Sequence, residues 1–136
     1  MTETQTIESP ATETPVEAVV DTYLAMWNET DGDRRAELIA TAWIEAGHYS
    51  DPLLEAKGRP ELSTMVDGLQ AQFPNHTFTR TSGVDLHHGL ARFGWKLSGP
   101  DGTVVIEGID IAALAEDGRI ARIAGFFGDV PAIEAA

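Results

Sequence analysis

The chain contains no cysteine and few basic residues, and each absence excludes a class of protein. Without cysteine there is no disulfide, thiolate metal site or cysteine nucleophile. Lysine and arginine number 9 against 22 aspartates and glutamates, so the formal net charge is -13. Nucleic acids and anionic membranes are bound through clustered cations, so we expect neither as a partner. Long apolar runs are also missing, and no segment is predicted to span a bilayer.

Large apolar side chains are nearly absent from the first residues of the chain. Residues 1–14 are mostly small or polar and include several glutamates, and we predict that they form a disordered acidic tail. The remainder, residues 15–136, is predicted to be one domain, because 43% of the chain is hydrophobic and its length suits a single core. The basic and apolar regions of a signal peptide are missing, so a cytoplasmic location is expected.

Three helices are predicted in the first half of the domain. The sequence Thr14-Pro15-Val16-Glu17 is typical of a capping box with proline in the first turn. Apolar residues then recur at helical spacing and place Tyr23 on the inward face. A second helix is predicted over residues 33–43, and a third from Pro60 to residue 73. A short strand over residues 47–51 is predicted between them.

The apolar period changes from helical to alternating at about residue 76. Segments 76–85, 87–97, 103–114 and 119–127 are predicted strands, separated or interrupted by glycine-containing turns. Three helices followed by an antiparallel meander predict an α+β fold, in which a bent sheet wraps over the helices and leaves an apolar pocket. We predict that seven residues line this substrate pocket: Trp27, Tyr49, Phe93, Trp95, Ile106, Ile123 and Phe127.

Three ionisable side chains interrupt otherwise apolar stretches: Tyr23, Asp51 and Asp110. An ionisable group is costly in such surroundings unless it is paired or used, so these are the candidate catalytic residues. Each also has a structural interpretation, since Tyr23 would suit a core and Asp51 an Asp-Pro turn. Asp110 would suit an ion pair with Arg92 or Arg122 on neighbouring strands.

The predicted strand around Asp110 offers that carboxyl an apolar face. Val104, Ile106 and Gly108 share the face by alternation, and no cation lies among them. Burial there disfavours the charged form, so we predict that the pKa of Asp110 lies well above that of an ordinary aspartate. The opposite face carries residues that we expect on the outside of the sheet, such as Ile109 and Ile111, together with Glu107.

No metal site is predicted. His87 and His88 are adjacent in a predicted strand, so their side chains should point to opposite faces. His48 lies three residues before Asp51, which is not a strong ligand spacing.

The order of helix tyrosine, Asp-Pro turn and late-strand aspartate resembles that of the nuclear-transport-factor-2-like superfamily, with its SnoaL-like members. Within it, the pattern is most similar to ketosteroid isomerase. Residues 19–25 resemble that enzyme's first helix, Asp51-Pro52 its general base, and Ile109-Asp110 the strand with its protonated aspartate. The resemblance implies a cone-shaped nuclear-transport-factor-2-like fold, with three N-terminal helices packed on a strongly curved antiparallel sheet that encloses an apolar pocket. It also implies a homodimer.

The function implied by this resemblance is a cofactor-independent isomerase acting on a small hydrophobic carbonyl compound. Asp51 would remove a proton and return it elsewhere, while Tyr23 and Asp110 stabilise the enolate oxygen. Two alternatives stay open. One is an enzyme like the polyketide cyclases or epoxide hydrolases of the superfamily. The other is a non-catalytic module that binds a hydrophobic ligand or dimerises.

Overall fold

The structure, a computed structural model, describes residues 14–134. The predicted tail lies almost wholly outside the described residues, so its disorder stays a prediction. Three helices are present: α1 (Pro15–Asn28), α2 (Gly32–Ala42) and α3 (Arg59–Gln72). Seven strands follow or intervene: β1 (Trp43–Ser50), β2 (Glu55–Lys57), β3 (Thr77–Arg80), β4 (Asp85–His87), β5 (Leu90–Ser98), β6 (Val104–Leu114) and β7 (Ile120–Phe127).

The start of α1 follows the predicted capping box. The Thr14 hydroxyl accepts the Glu17 backbone N–H at 3.2 Å, and the Glu17 carboxylate accepts the Thr14 N–H at 3.1 Å. Two otherwise unpaired donors are satisfied in this way, which fixes where the helix begins. The helix then buries the predicted face, on which Tyr23 is 1% exposed.

The sheet is mixed, so the prediction of a purely antiparallel sheet is wrong in one place. The strand order is β2-β1-β7-β6-β5-β3, with β4 also paired to β5. The pair β1–β7 is parallel and the other pairs are antiparallel. A parallel pair needs a long crossover, which the chain supplies through α3 and the strands that follow it. Strand β1, the first in the chain, therefore lies beside the last one.

Several element boundaries also differ from the predicted ones. Trp43 begins β1 instead of ending α2, and it is fully buried. Strand β2 was not predicted, because three residues are too few to show a period. The predicted strand over 76–85 is two short strands, β3 and β4, separated by residues 81–84 that include Gly83.

The core lies between the helices and the inner face of the sheet. The ring of Tyr23 contacts Trp27, Trp43 and Phe93 edge-on, with centroids 5.9 to 6.5 Å apart. Such aromatic contacts add stability beyond the area they bury. The alternation predicted for β5 is confirmed, because its inward residues Ala91, Phe93, Trp95 and Leu97 are all at most 5% exposed.

Arg35 of α2 holds the helices together although its side chain is only 1% exposed. Its guanidinium donates to the Glu29 carbonyl at 3.0 Å, to the Asp67 carboxylate at 2.8 Å and to the Gln70 side-chain oxygen at 3.3 Å. It also donates to the backbone carbonyl and hydroxyl of Ser63. Since these acceptors lie on α3 and on the loop before α2, Arg35 sets how α3 sits against the other helices.

None of the helices in residues 14–134 is long and apolar enough to cross a membrane.

We expect Arg35→Ala to lower the free energy of unfolding by about 2–4 kcal/mol, because a buried side chain is removed and several partly buried acceptors lose their donor at once. Urea denaturation measures this change. The matched control is Arg34→Ala, since the neighbouring Arg34 is exposed; it should change stability by less than about 0.5 kcal/mol. Equal effects of the two substitutions would contradict the role of Arg35.

Candidate active site

An apolar cavity of about 350 Å³ lies between α1, α3 and the inner face of the sheet. Its size is at the lower end of the range for small-molecule sites. Helix α3 contributes one wall, which includes Met65 and Leu69, and the sheet contributes Trp95, Ile106 and Phe127.

The three predicted catalytic residues all reach this cavity. Tyr23 comes from α1, Asp51 from the turn after β1 and Asp110 from the middle of β6, and each lines the cavity wall. The structure therefore brings together the side chains that the sequence singled out. Their catalytic roles stay predictions.

Five of the seven predicted pocket residues line the cavity: Trp27, Tyr49, Trp95, Ile106 and Phe127. The other two, Phe93 and Ile123, do not. Phe93 is 2% exposed and packs against the Tyr23 ring, and Ile123 is fully buried. Alternation placed both on the inward face correctly, but it does not tell which inward residues meet the cavity and which fill the core.

Asp110 is the only buried carboxylate in residues 14–134, with 2% of its surface exposed. Its Oδ2 accepts the Tyr23 hydroxyl at 2.8 Å and its Oδ1 accepts the Trp95 indole N–H at 3.0 Å. Burial raises the pKa of Asp110 to about 7, although these two hydrogen bonds lower it. The nearby charge of Asp51 adds to the rise. The direction of this shift agrees with the predicted one.

The alternative that Asp110 pairs with an arginine is wrong. Arg92 pairs with Asp85 at the sheet surface, and Arg122 donates to His48 at 2.8 Å. Both arginines belong to strands beside Asp110, but their side chains form these contacts elsewhere. Asp110 is left with neutral donors.

Trp95 was predicted only as a pocket wall, yet it is one of these two donors. Phe93 is the cross-strand partner of Asp110, so Trp95 lies one step along the same face of β5. Diagonal neighbours of this kind are within reach of long aromatic side chains. The register of the two strands carries this information, and the sequence alone does not give the register.

Tyr23 is held by the same carboxyl. Burial raises its pKa well above the ordinary value, and the negative charge of Asp110 raises it further. The hydroxyl therefore keeps its proton at neutral pH and acts as a hydrogen-bond donor.

Asp51 has both the structural and the cavity-facing character that its sequence context indicated. Its Oδ1 accepts the backbone N–H groups of Leu53 and Leu54, both at 2.8 Å, which is the hydrogen bonding of an Asp turn. Its Oδ2 accepts the Tyr49 hydroxyl at 2.6 Å. The same carboxyl lines the cavity. Asp51 is therefore both the residue that forms the turn and a residue of the cavity wall.

Tyr49 is the second residue whose contact the sequence reasoning missed. It was predicted as pocket wall, but its hydroxyl donates to Asp51. Burial raises the pKa of Tyr49 far above the ordinary range, with the charge of Asp110 adding to the effect. This contact could have been predicted from the sequence, because Tyr49 and Asp51 are two residues apart and a strand places such residues on one face.

No group of three or more His, Asp or Glu side chains in the described part of the chain is placed to hold a metal ion. His87 and His88 do differ from the prediction. Their rings approach to 3.2 Å between Nδ1 atoms, because His88 lies in a turn with φ 49° and not in a strand.

Comparison with known proteins places the chain in a family. No protein-family model matches the sequence, and a search of the curated proteins finds no relative. Among solved structures, a candidate isomerase of the SnoaL-like family from Agrobacterium tumefaciens strain C58 is 36% identical. The match covers 86% of this chain and 100% of that chain, with a TM-score of 0.81. The chain therefore belongs to the SnoaL-like family.

More distant structures share the fold. A nuclear-transport-factor-2-like protein of unknown function from Exiguobacterium sp. 255-15 is 18% identical, with a TM-score of 0.65 over 82% of this chain and 99% of that chain. A candidate SnoaL-like polyketide cyclase from Jannaschia sp. CCS1 is 16% identical, with a TM-score of 0.63 over 85% of this chain and 90% of that chain. The predicted cone-shaped α+β fold is confirmed.

The raised pKa of Asp110 predicts how stability depends on pH. The unfolded chain releases this proton near pH 3.8 and the folded chain near pH 7, so between these values the folded state binds more protons. Stability should then fall as pH rises from about 4 to 7. Asp110→Asn removes this effect, so its stability relative to wild type should increase by up to about 4 kcal/mol across that window.

Urea denaturation of the two proteins between pH 4 and pH 8 measures this difference. Asp101→Asn is a control for the loss of one negative charge, because Asp101 is an exposed turn residue. A difference between wild type and Asp110→Asn that does not change with pH would show that Asp110 titrates like an ordinary aspartate.

Proposed function

We propose that the protein is a cofactor-independent isomerase of the ketosteroid isomerase type, which moves a proton within a small hydrophobic carbonyl compound. The observation that carries this proposal is the meeting of two different carboxyl groups in one apolar cavity. Asp51 is tied to backbone donors and Asp110 is buried beside neutral donors. Pairs of acids whose surroundings differ in this way suit acid and base roles.

The protonation state of Asp110 decides whether the site has a hydrogen-bond donor available for a ligand. When Asp110 is ionised, it accepts both the Tyr23 hydroxyl and the Trp95 indole N–H, so neither is free for a ligand. A protonated Asp110 brings one more donor to the same group. That donor, or the Tyr23 hydroxyl that it releases, can then bind a substrate oxygen. The site therefore stabilises an enolate oxygen only when Asp110 carries its proton.

The hydrogen bonds of Asp51 indicate where it would accept a proton. A carboxylate has about four acceptor positions, and three are used by Leu53, Leu54 and Tyr49. Oδ2 holds only one of these bonds, so it is the atom with room for another. In the proposed reaction, a C–H bond next to the carbonyl breaks and its proton moves to Oδ2. The proton then returns to a different carbon of the enolate.

The charges of the cavity select the substrate class. Two carboxyl groups and no Lys, Arg or His side chain line it. A carboxylate or phosphate ligand would bring a further negative charge beside Asp51 into an apolar space without a cation to pair it. An uncharged carbonyl compound meets no such cost. The 36% identical relative, described as a candidate isomerase, supports the same reaction class.

A second candidate, a polyketide-cyclase-like enzyme, follows from the same hydrogen bonds of Asp51. If these bonds fix Asp51 only as a turn residue, Asp110 is the remaining carboxyl that can exchange a proton in the cavity. A single acid–base group suits an aldol-type ring closure, in which the enolate attacks a second carbonyl of the same molecule. In that case the Asp51→Asn variant would keep the ring-closing activity, and the Asp110→Asn variant would lose it.

For the isomerase, we expect Asp51→Asn to slow the conversion of a β,γ-unsaturated ketone by ~100-fold or more, because the amide cannot take the proton. Tyr23→Phe should lower the rate by up to ~1000-fold, because a donor to the enolate is lost.

The activity of the wild type should fall as pH rises through about 7, because Asp110 loses its proton. Ultraviolet absorbance of the conjugated product follows the rate.

The matched control is Asp101→Asn. Asp101 also accepts a backbone N–H on Oδ1 and a hydroxyl on Oδ2, both from Thr103, but it lies in an exposed turn. Its substitution should leave the rate unchanged. Full activity in Asp51→Asn would remove Asp51 as the base, and loss of activity in Asp110→Asn would then favour the cyclase.

We also propose that the protein is a homodimer formed through the outer face of the sheet. Ile109 and Phe126 are cross-strand partners there and are 41% and 61% exposed. The chain is strongly acidic, but this face carries both signs of charge, since Lys96 lies opposite Glu107. Two copies can therefore approach here with less repulsion than elsewhere.

We expect light scattering to give a dimer mass for the wild type, and a monomer mass for Phe126→Glu because a charge would be buried in the interface. Leu53→Glu is the control, since Leu53 is exposed but lies at the cavity. A monomeric wild type at high micromolar concentration would contradict the dimer.

A further inference from the structure

Gly125 of β7 lies between the two carboxyl residues of the site, Asp110 on β6 and Asp51 just after the end of β1. It is the cross-strand partner of Asp110 on β6. On its other side, β1 runs parallel with Ser50 opposite Ala124, so Asp51 comes next to Gly125. The buried Gly125 is therefore the middle position of a row that reads Asp51, Gly125, Asp110 across the sheet.

A side chain at Gly125 would occupy space that the site already uses. A Cβ atom there would lie 2.7 Å from Asp110 Oδ1, 3.4 Å from Asp51 Cβ and 3.5 Å from the Tyr49 hydroxyl oxygen. The contact with Oδ1 is closer than a real Cβ atom tolerates. Oδ1 is the atom that accepts the Trp95 indole N–H. A side chain here would therefore force either this carboxyl oxygen or the strand that carries residue 125 to move.

Backbone conformation does not require glycine at this position. The glycines with positive φ are Gly58, Gly89, Gly102, Gly118 and Gly128, and Gly125 is not among them. A strand glycine of ordinary conformation costs stability, because it loses more entropy on folding than a residue with a side chain. Glycine is needed here for a different reason: the space that a side chain would fill holds the Asp110 carboxyl and its neighbours.

We propose that Gly125 is a positioning residue, whose missing side chain lets Asp110 and the Tyr49–Asp51 pair lie together as one cluster. The two Tyr–Asp pairs, Tyr23–Asp110 and Tyr49–Asp51, meet over this position. Their closeness lets the charge of Asp51 act on Asp110. The inference rests on the proposed function only in taking Asp110 as the proton-carrying group, and it is tested without a substrate.

The first test follows the indole N–H signal of Trp95 by NMR as pH is varied. The chain has three tryptophans, so Trp95→Phe assigns the signal. In the wild type the signal should shift as Asp110 titrates, because the two groups are hydrogen-bonded. In Gly125→Ala the signal should lose most of this pH response, since the methyl group displaces the carboxyl from the indole.

Gly94→Ala is the matched control. Gly94 is also a buried strand glycine, and its Cβ would lie 2.5 Å from Thr81 Oγ1, but not near the carboxyl groups. The Trp95 signal should therefore keep its pH response in this variant. An unchanged pH response in Gly125→Ala would overturn the proposal, because the methyl group would then not reach Asp110.

A second test covers the case in which Gly125→Ala does not fold. Asp110→Ala removes the group with which the new methyl collides, so the loss of melting temperature caused by Gly125→Ala should shrink by more than half in that background. Recovery of folding in the double variant supports the proposal as well. An equal loss in both backgrounds, or a double variant that also fails to fold, would show that Gly125 does not act through Asp110.

Discussion

The site depends on one buried carboxyl group that has hydrogen-bond donors but no cation. Asp110 accepts the Tyr23 hydroxyl and the Trp95 indole N–H, and burial raises its pKa to about 7. A neighbouring arginine would have kept the carboxyl ionised at all working pH values. Neutral donors stabilise the anion less, so the proton is bound or released close to neutrality. A carboxyl in this state can act as an acid in an apolar cavity, which an ordinary aspartate cannot do.

The rest of the fold holds this carboxyl in place. Helix α1 brings Tyr23 to one of its oxygens, and β5 brings Trp95 to the other. The parallel pairing of β1 with β7 brings the turn that carries Asp51 to the same cavity, so the one departure from an antiparallel sheet is also the feature that assembles the site. On the opposite wall, α3 is fixed through the buried Arg35. The cavity therefore owes its shape to contacts outside it.

How much could be predicted from the sequence depended on whether the cause was local. The capping box at Thr14, the inward face of β5 and the raised pKa of Asp110 follow from residues close together in the chain, and all three agree with the structure. The Trp95–Asp110 bond and the parallel strand pair depend on register and topology, which one sequence does not specify. Ionisable groups in apolar stretches indicated the three candidate catalytic residues, and the family resemblance supplied the cone-shaped fold and the roles expected of these residues. It did not identify Tyr49 or Trp95 as the donors to the two carboxyl groups.

The central claim is that Asp110 carries a proton near neutral pH, and carboxyl carbon NMR tests it most directly. The wild type and Asp110→Asn would be labelled with ¹³C at the aspartate carboxyls, and the signal missing from the variant is that of Asp110. We expect this signal to titrate with a midpoint at about pH 7. A midpoint at or below the ordinary aspartate value of 3.8 would contradict it, because Asp110 would then be ionised wherever the protein works.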